Sequence, residues 1–310
     1  MKLTFLFPGQ GSQVPNMLRN LPDHQVITET LEEASEILNE SVFNFDTEEA
    51  LRSTVSVQLS LLIAGVAASR VFRAESVVPD LVGGHSVGAF GAAVTAGVLK
   101  FEDALNLVKA RGELMEKAYP KNYGMGVILG MNEKDLGDVI KKLLTEEHPV
   151  YLANLNSPDQ ITIAGSITGI QKVIDYTSKN GARKAELLNV SIPSHCKLLD
   201  SVSLLLDEKM KDIDFSNPVI PYAANQTARI LYTAEDIRHD LAKSVASSVR
   251  WHDASSILYE LGTRLFIEMP PGNVLTKLAD NAFCESRSMS IDEAGLNNCL
   301  FLAQRFQKNN

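Results

Sequence analysis

Short apolar runs alternate along the first third of the chain with longer segments in which apolar residues recur at helical spacing. Residues 3–7 and 81–83 form such runs and are followed by Pro8 and by glycines, which predicts buried strands. Because strands separated by helices usually pair in parallel, this order predicts an α/β fold with a mainly parallel sheet. The predicted helices of this part are 31–38, 57–72, 87–96 and 104–118.

The pattern changes after residue 120. The predicted elements there are strand 124–129, helix 133–144, strands 150–153 and 160–164, helix 167–179 and strand 183–190. This strand-helix-strand-strand-helix-strand order is typical of a ferredoxin-like unit. We therefore predict that a small ferredoxin-like subdomain, residues 123–192, is inserted into a discontinuous large α/β domain of residues 1–122 and 193–310.

The α/β pattern resumes after the insertion. The predicted elements are helices 198–210 and 236–246, strands near 219–223 and 265–268, and a closing helix at 274–279. Residues 81–99 carry no formal charge and approach the length of a membrane span, but their five glycines and several polar residues favour a strand, a sharp turn and a buried helix. We therefore expect no membrane association.

Composition and charge narrow the class of protein further. The chain has 310 residues, of which 45% are hydrophobic and 22% charged, as in ordinary globular proteins. Its 29 basic against 38 acidic residues give a formal charge of -9, so it lacks the basic excess that nucleic acid binding requires. The three cysteines, Cys196, Cys284 and Cys299, are widely spaced, which predicts no disulfide framework and no metal site. With no signal-peptide pattern at the N-terminus, a cytoplasmic location is expected.

The most informative motif is GHSVG, residues 84–88, between a predicted strand and a predicted helix. Glycines on both sides of the serine allow a sharp reversal that exposes its hydroxyl at the top of the sheet and places its amide at a helix N-terminus. This context predicts that Ser86 is a nucleophile. The alternative is an ordinary turn with a serine that caps the helix.

A serine nucleophile needs a base, and the six histidines do not identify it by themselves. His195 lies in IPSHC, residues 192–196, in a turn between the last strand of the insertion and a helix, where a side chain can project from the domain junction. His148 and His239 stand among charged residues, and the side chain of His85 is expected to diverge from that of its neighbour Ser86. Each histidine also fits a purely structural role.

Two further features fit acyl-group chemistry. GQGSQ, residues 9–13, follows the first strand, and its glycines allow a backbone amide to approach and stabilise an oxyanion, or simply form a turn. Arg111 falls on the apolar face of the helix predicted at 104–118. A buried guanidinium stays charged and needs an anion, which is either a protein carboxylate or a carboxylate of the substrate.

These motifs together resemble those of the malonyl-CoA:acyl-carrier-protein transacylase family. They are GQGSQ (9–13), GHSVG (84–88), Arg111 within ARGELM, ANLNSP (153–158) and IPSHC (192–196), in the family's order over nearly the whole chain. Within that family, residues 50–67 and 111–125 look more like the epsilon subunit of malonate decarboxylase. The resemblance implies an α/β-hydrolase-like large domain with a parallel sheet and an inserted ferredoxin-like subdomain.

The resemblance also implies a two-step acyl transfer. Ser86 would attack malonyl-CoA while His195 takes its proton, and the prosthetic thiol of an acyl carrier protein would then accept the malonyl group. In a malonate decarboxylase the acceptor would be that complex's own carrier subunit, and its other subunits would be partners. Coenzyme A enters as a thioester substrate, and no bound cofactor or metal is implied. The supporting residues implied by the resemblance are Gln10 and Val87 (backbone amides of the oxyanion hole), Arg111 and Asn156 (substrate binding) and Arg250 (backbone carbonyl that orients the histidine).

Two other functions stay open. A serine hydrolase would use the same turn, but no acidic residue stands out between the serine and the histidine, where hydrolases usually carry one. A non-catalytic subunit would keep the fold as a scaffold, although a degenerate copy would be expected to lose Ser86, Arg111 or His195.

Acyl carrier proteins are usually acidic, and this chain also has a negative net charge. It would therefore meet a carrier through a local basic patch or through apolar contact. The candidate residues for such a patch are Lys141, Lys142, Arg183 and Lys184.

Overall fold

The computed structural model describes residues 1–119, 121–143, 145–190 and 192–308, which form two sheets covered by helices. The strands are β1 (Lys2–Phe7), β2 (Leu81–Gly84), β3 (Tyr123–Leu129), β4 (Val150–Ser157), β5 (Gln160–Ser166), β6 (Lys184–Leu187), β7 (Tyr222–Ala223), β8 (Ile230–Leu231), β9 (Thr263–Glu268) and β10 (Arg287–Ser290). The α-helices are α1 (Gln25–Leu38), α2 (Thr54–Ala74), α3 (Gly88–Thr95), α4 (Phe101–Ala118), α5 (Glu133–Leu143), α6 (Ile167–Lys179), α7 (Asp200–Met210), α8 (Ala234–Lys243), α9 (Trp251–Glu260), α10 (Val274–Ala282), α11 (Ile291–Ala294) and α12 (Leu296–Lys308).

The larger sheet has the strand order β10-β9-β1-β2-β7-β8. Its neighbouring strands are parallel except for β7 and β8, which confirms the α/β fold with a mainly parallel sheet. Phe7 at the end of β1 lies in register with Gly84 at the end of β2. The two glycine-rich segments, residues 9–13 and 84–88, therefore begin at the same edge of the sheet, where α/β folds place their ligands.

The smaller sheet is antiparallel, with the order β4-β5-β3-β6, and it is the ferredoxin-like unit that the sequence predicts. Helices α5 and α6 cover one face and bury Ile128, Leu136 and Ile170. Residue 144, the last of the helix predicted at 133–144, lies outside the described residues. We propose residues 123–192 as the small subdomain and the rest as the large domain, since all four strands of this sheet lie between residues 123 and 187.

Helix α2 is long and apolar enough to cross a membrane by length and composition, and among the described residues it alone meets that criterion. However, 83% of its most apolar window is buried inside the protein. It packs against α1, α3 and α4. The uncharged segment 81–99 forms β2, a turn and α3, as predicted. The apolar character of α2 thus fits a core helix.

The C-terminal part contains more elements than the sequence pattern predicts. The helix predicted at 274–279 does not close the chain, because β10, α11 and α12 follow it. Strand β8 and helix α9 are also missing from the prediction. Strand β10 has the sequence RSMS, without the apolar run of a buried strand, and is defined by its pairing with β9 at the sheet edge. Tertiary pairing rather than local periodicity determines such an element.

Candidate active site

Ser86 stands in a sharp turn between β2 and α3, with a positive φ of 55°. A Cβ atom on Gly84 would lie 2.2 Å from the carbonyl carbon of Gly88, and one on Gly88 would lie 2.2 Å from the carbonyl oxygen of Phe7. Both positions therefore require glycine. The turn brings Ser86 to the wall of a cavity, as the GHSVG motif predicts.

His195 is the histidine that meets the serine. Its Nε2 lies 2.7 Å from Ser86 Oγ, and its Nδ1 lies 2.6 Å from the backbone carbonyl oxygen of Ser244. Because a carbonyl oxygen can only accept, Nδ1 carries the proton and donates it. Nε2 of the neutral ring is then the acceptor for the Ser86 hydroxyl, which is the tautomer that a general base requires.

The expectation that the Arg250 carbonyl orients His195 is wrong. That role belongs to Ser244, in the turn that follows α8. The Arg250 carbonyl accepts from the amide of Ala254 in the first turn of α9, and its guanidinium pairs with Asp253 at 2.7 Å. The carbonyl of Arg250 is therefore occupied by its own helix.

Burial makes His195 a weak base that stays neutral. The ring is 3% exposed. Desolvation, and to a lesser degree the charge of Arg111, lowers the pKa of His195 from 6.5 to about 3. An imidazole with that pKa is unprotonated at neutral pH and free to accept a proton from Ser86.

Arg111 lies on α4 with its side chain buried beside Ser86. It is 1% exposed, and Nη2 donates to Ser86 Oγ at 3.2 Å. Burial lowers its pKa from 12.5 to about 10, so the guanidinium stays charged. Nε has no hydrogen-bond partner, and no carboxylate of the described residues forms a salt bridge with it. The sequence left open whether the partner of Arg111 is a protein carboxylate or a carboxylate of the substrate. Among the described residues, no protein carboxylate takes this role.

The segment 9–13 lies against the nucleophile turn. A Cβ atom on Gly9 would lie 2.7 Å from the carbonyl oxygen of His85, so the two chain segments touch. Gln10 lines the cavity, and Val87 follows the nucleophile directly. Within the described part of the chain, the amides of Gln10 and Val87 donate to no other protein group. Both amides are thus available to an oxyanion.

The cavity has a volume of about 620 Å³ and lies between the two sheets. Its small-subdomain wall carries both polar and apolar side chains. Asn156 on that wall lies with its Oδ1 3.0 Å from His85 Nε2, and the His85 ring packs edge-on against Trp251. Burial also lowers the pKa of His85. His85 is therefore engaged away from Ser86, as expected, and the walls of the cavity include Gln10, Arg52, Met125, Asn154, Gln160, Leu188 and Leu278.

Two residues that the sequence reasoning missed contact Ser86 and His195. Asn225 accepts a hydrogen bond from the Ser86 amide at 2.8 Å, and the Ser244 carbonyl holds His195. A signal for Asn225 was available. It is a polar residue two positions after the short buried strand β7, which lies beside β2 in the sheet. No signal marked Ser244, because its contribution comes from the backbone.

Comparison with known proteins adds an independent observation. The family model described as an acyl transferase domain matches residues 4–297 of this chain. A malonyl CoA-acyl carrier protein transacylase of Bacillus subtilis (strain 168) is 35% identical over 298 residues, covering 94% of each chain. The corresponding protein of Haemophilus influenzae is 32% identical over 299 residues, which cover 94% of this chain and 96% of that protein.

Solved structures agree in fold over the whole length. The malonyl CoA-acyl carrier protein transacylase of Coxiella burnetii superposes with a TM-score of 0.93 at 32% identity, covering 98% of both chains. A malonyl-transacylase solved in complex with a type II PKS acyl-carrier protein superposes with a TM-score of 0.92 at 33% identity, covering 100% of both chains.

Proposed function

This chain belongs to the acyl transferase family, and from that membership we propose that it moves the malonyl group of malonyl-CoA to an acyl carrier protein through an acyl-enzyme on Ser86. One observation supports the malonyl group in particular. Arg111 is a buried cation without a carboxylate partner among the described residues, and it lies 3.2 Å from the nucleophilic oxygen. A carboxylate on the acyl group would supply its missing partner.

In the first step, Ser86 Oγ attacks the thioester carbonyl while its proton passes to Nε2 of His195. The carbonyl oxygen becomes an oxyanion, which the amides of Gln10 and Val87 stabilise. Collapse of this intermediate breaks the carbon–sulfur bond. The departing coenzyme A sulfur takes the proton from His195, and the malonyl group remains as an ester on Ser86.

In the second step, the prosthetic thiol of the carrier protein replaces coenzyme A. His195 Nε2 accepts the thiol proton as the sulfur attacks the ester, and then returns it to Ser86 Oγ as the ester bond breaks. Throughout both steps, Arg111 holds the malonyl carboxylate, and Asn156 lines the acyl cavity. The reaction needs coenzyme A only as the carrier of the substrate.

The identity of the carrier protein is a separate proposal. Relatives named as malonyl CoA-acyl carrier protein transacylases, and the structure with a PKS carrier, favour a carrier of fatty-acid or polyketide synthesis. The carrier subunit of malonate decarboxylase is the second candidate, supported by the resemblance of residues 50–67 and 111–125 to that enzyme's epsilon subunit. Genes of one or the other pathway beside this one, or copurification with malonate decarboxylase subunits, distinguish the two.

Three of the four basic residues named as a docking patch form salt bridges with acidic neighbours. The pairs are Lys141 with Asp138, Lys184 with Glu186 and Arg183 with Asp159, while Lys142 lies over the ring of Tyr176. Their net contribution to a positive surface is therefore smaller than their number implies. The patch stays a prediction, as does a cytoplasmic location.

Incubation with radiolabelled malonyl-CoA tests the proposal against its alternatives. A transferase becomes labelled and keeps the label until holo-acyl carrier protein is added, when the label moves to the carrier. A hydrolase releases free malonate without an acceptor. A scaffold subunit takes up no label, and that result would end the proposal.

We expect acyl-enzyme formation to depend little on pH between about 8 and about 5. The neutral imidazole accepts the Ser86 proton, and a pKa of about 3 keeps His195 neutral over this range. Only protonation at lower pH would remove the base and slow the reaction. Rapid-quench labelling with malonyl-CoA measures the rate, and a midpoint near the ordinary histidine value of 6.5 would contradict the prediction.

A further inference from the structure

The nucleophile turn is held by one buried side-chain amide. Asn225 Oδ1 accepts from the backbone amide of Ser86 at 2.8 Å, and its Nδ2 donates to the backbone carbonyl of Gly84 at 2.7 Å. Asn225 is 1% exposed and lies 139 residues away from Ser86 in the sequence. It therefore bridges both sides of a turn whose central residue has an unfavourable positive φ.

Asn225 is in turn held by a buried carboxylate. Asp240 Oδ2 accepts from the backbone amide of Asn225 at 3.2 Å and from the hydroxyl of Tyr222 at 2.9 Å, and Oδ1 accepts from the backbone amide of Gln226 at 3.1 Å. These three donors compensate a carboxylate whose pKa burial raises. The carboxylate makes no contact with His195.

Hydrogen bonds of the backbone connect Asp240 to His195 through Ser244. Asp240 lies in α8, and its carbonyl accepts from the amide of Ser244, the residue that ends the helix. The Ser244 carbonyl accepts from His195 Nδ1 at 2.6 Å, and His195 Nε2 accepts from the Ser86 hydroxyl at 2.7 Å. Together with the Asn225 contacts, these bonds form a closed ring of residues, which we term the Ser-His circuit: Ser86, Asn225, Asp240, Ser244 and His195.

We propose that Asn225 and Asp240 are positioning residues. Through the hydrogen bonds of the Ser-His circuit they keep the Ser86 hydroxyl aligned with the His195 ring. The inference rests on the proposed function, because it assumes that these two residues form the acyl-enzyme. Ser86 and His195 are 109 residues apart and lie in different turns, so their alignment depends on groups that bind both. A displacement of about 1 Å between reacting groups can slow catalysis about 100-fold.

The circuit also determines which amides face the substrate. The Ser86 amide is occupied by Asn225, whereas the amide of Val87, the next residue, is not engaged by any group of the described residues. Asn225 therefore holds one amide of the turn away from the oxyanion while the next stays available. Asp240 serves as an anchor for this arrangement, and it acts on His195 only through the backbone of α8.

The first test replaces Asn225 with aspartate and follows pH. A protonated carboxyl group offers one acceptor and one donor, as the asparagine amide does, whereas a carboxylate would repel the Gly84 carbonyl. The introduced carboxyl is buried beside Asp240, which raises its pKa. The ratio of the Asn225→Asp labelling rate to the wild-type rate should therefore rise as pH falls from about 8 to about 5. Unfolding midpoints measured at each pH separate this effect from loss of the fold, and a ratio that is independent of pH while the protein stays folded would overturn the proposal.

The second test distinguishes an effect on the alignment of Ser86 and His195 from an effect on the binding of malonyl-CoA. Asn225→Ala and Asp240→Asn should lower the rate of acyl-enzyme formation at saturating malonyl-CoA, the former by about 100-fold. The half-saturating concentration should change by less than about threefold, because neither residue contacts substrate. If Asn225→Ala does not fold, the proposal is tested by the labelling rate of Asp240→Asn and by the pH dependence of the ratio of the Asn225→Asp rate to the wild-type rate.

The matched control is Asn217→Ala. Asn217 Oδ1 accepts from the Ala234 amide at 2.9 Å and so caps α8 at its other end, outside the circuit. This variant should lower the thermal unfolding midpoint but keep the wild-type labelling rate. If the Asn225 variants lost no more activity than Asn217→Ala, the proposed positioning role of the Ser-His circuit would be wrong. Wild-type protein that takes up no label would instead overturn the proposed function, so the two failures are distinguishable.

Discussion

Replacing Ser86 with alanine is expected to abolish labelling by malonyl-CoA, with a loss of acyl transfer of about 10⁴-fold or more. In the proposed mechanism Ser86 Oγ forms the ester, and this atom lies 2.7 Å from His195 Nε2 and 3.2 Å from Arg111 Nη2. Alanine removes this oxygen without adding volume. The fold should therefore remain intact, as judged by circular dichroism and the unfolding midpoint.

Ser201→Ala is the matched control for this experiment. Ser201 is an exposed serine on α7 that does not line the cavity, so its loss should leave labelling unchanged. Mass spectrometry of the labelled wild-type protein should place the malonyl group on the peptide that contains Ser86. Undiminished labelling of Ser86→Ala would show that another group carries the acyl chain.

Replacing Arg111 with alanine is expected to reverse the preference for malonyl over acetyl groups. The guanidinium is buried and lacks a carboxylate partner among the described residues, so the malonyl carboxylate would lose the buried charge partner that lies beside Ser86. A charge-assisted pair of this kind contributes about 3 kcal/mol, which corresponds to a loss of about 100-fold in kcat/KM for malonyl-CoA. Activity towards acetyl-CoA should rise, because an acetyl group no longer leaves a buried cation unpaired.

Two further variants sharpen the Arg111 experiment. Arg111→Lys keeps the charge but loses the planar fork, so it should retain part of the malonyl preference. Lys109→Ala removes a positive charge from the exposed face of the same helix and should leave the preference unchanged. If Arg111→Ala still selected malonyl over acetyl groups, the carboxylate would be held elsewhere in the cavity.

The periodicity of hydrophobic residues and the positions of turn residues were sufficient to predict the strands and helices that build the two cores. The strands that become β1, β2 and β3 carry apolar runs, and the order of elements from residue 123 onwards identified the ferredoxin-like unit. The same criteria failed for β8, which has only two residues, for β10, whose sequence RSMS lacks an apolar run, and for α9. These elements exist because neighbouring strands and helices offer hydrogen bonds and buried surface, and a local pattern does not report on such neighbours.

The sequence predicted the candidate site where the proposed role belongs to a side chain. The GHSVG motif predicted a turn with an exposed serine. Arg111 lies on the apolar face of its helix, so the sequence predicted that its guanidinium needs an anionic partner. The sequence alone left two anions open for Arg111. The structure shows that Arg111 is buried without a carboxylate partner among the described residues, and such burial is a property of the packed protein.

The sequence by itself determined the two-part architecture, the serine turn, the cationic residue beside it and the family resemblance that singles out His195. Only the tertiary structure decided how Ser86 and His195 are held together. The orienting carbonyl belongs to Ser244 and not to Arg250, and Asn225 and Asp240 complete the circuit. The physical reason is that every residue carries the same backbone carbonyl and amide, so no residue type marks the one that the fold brings into contact.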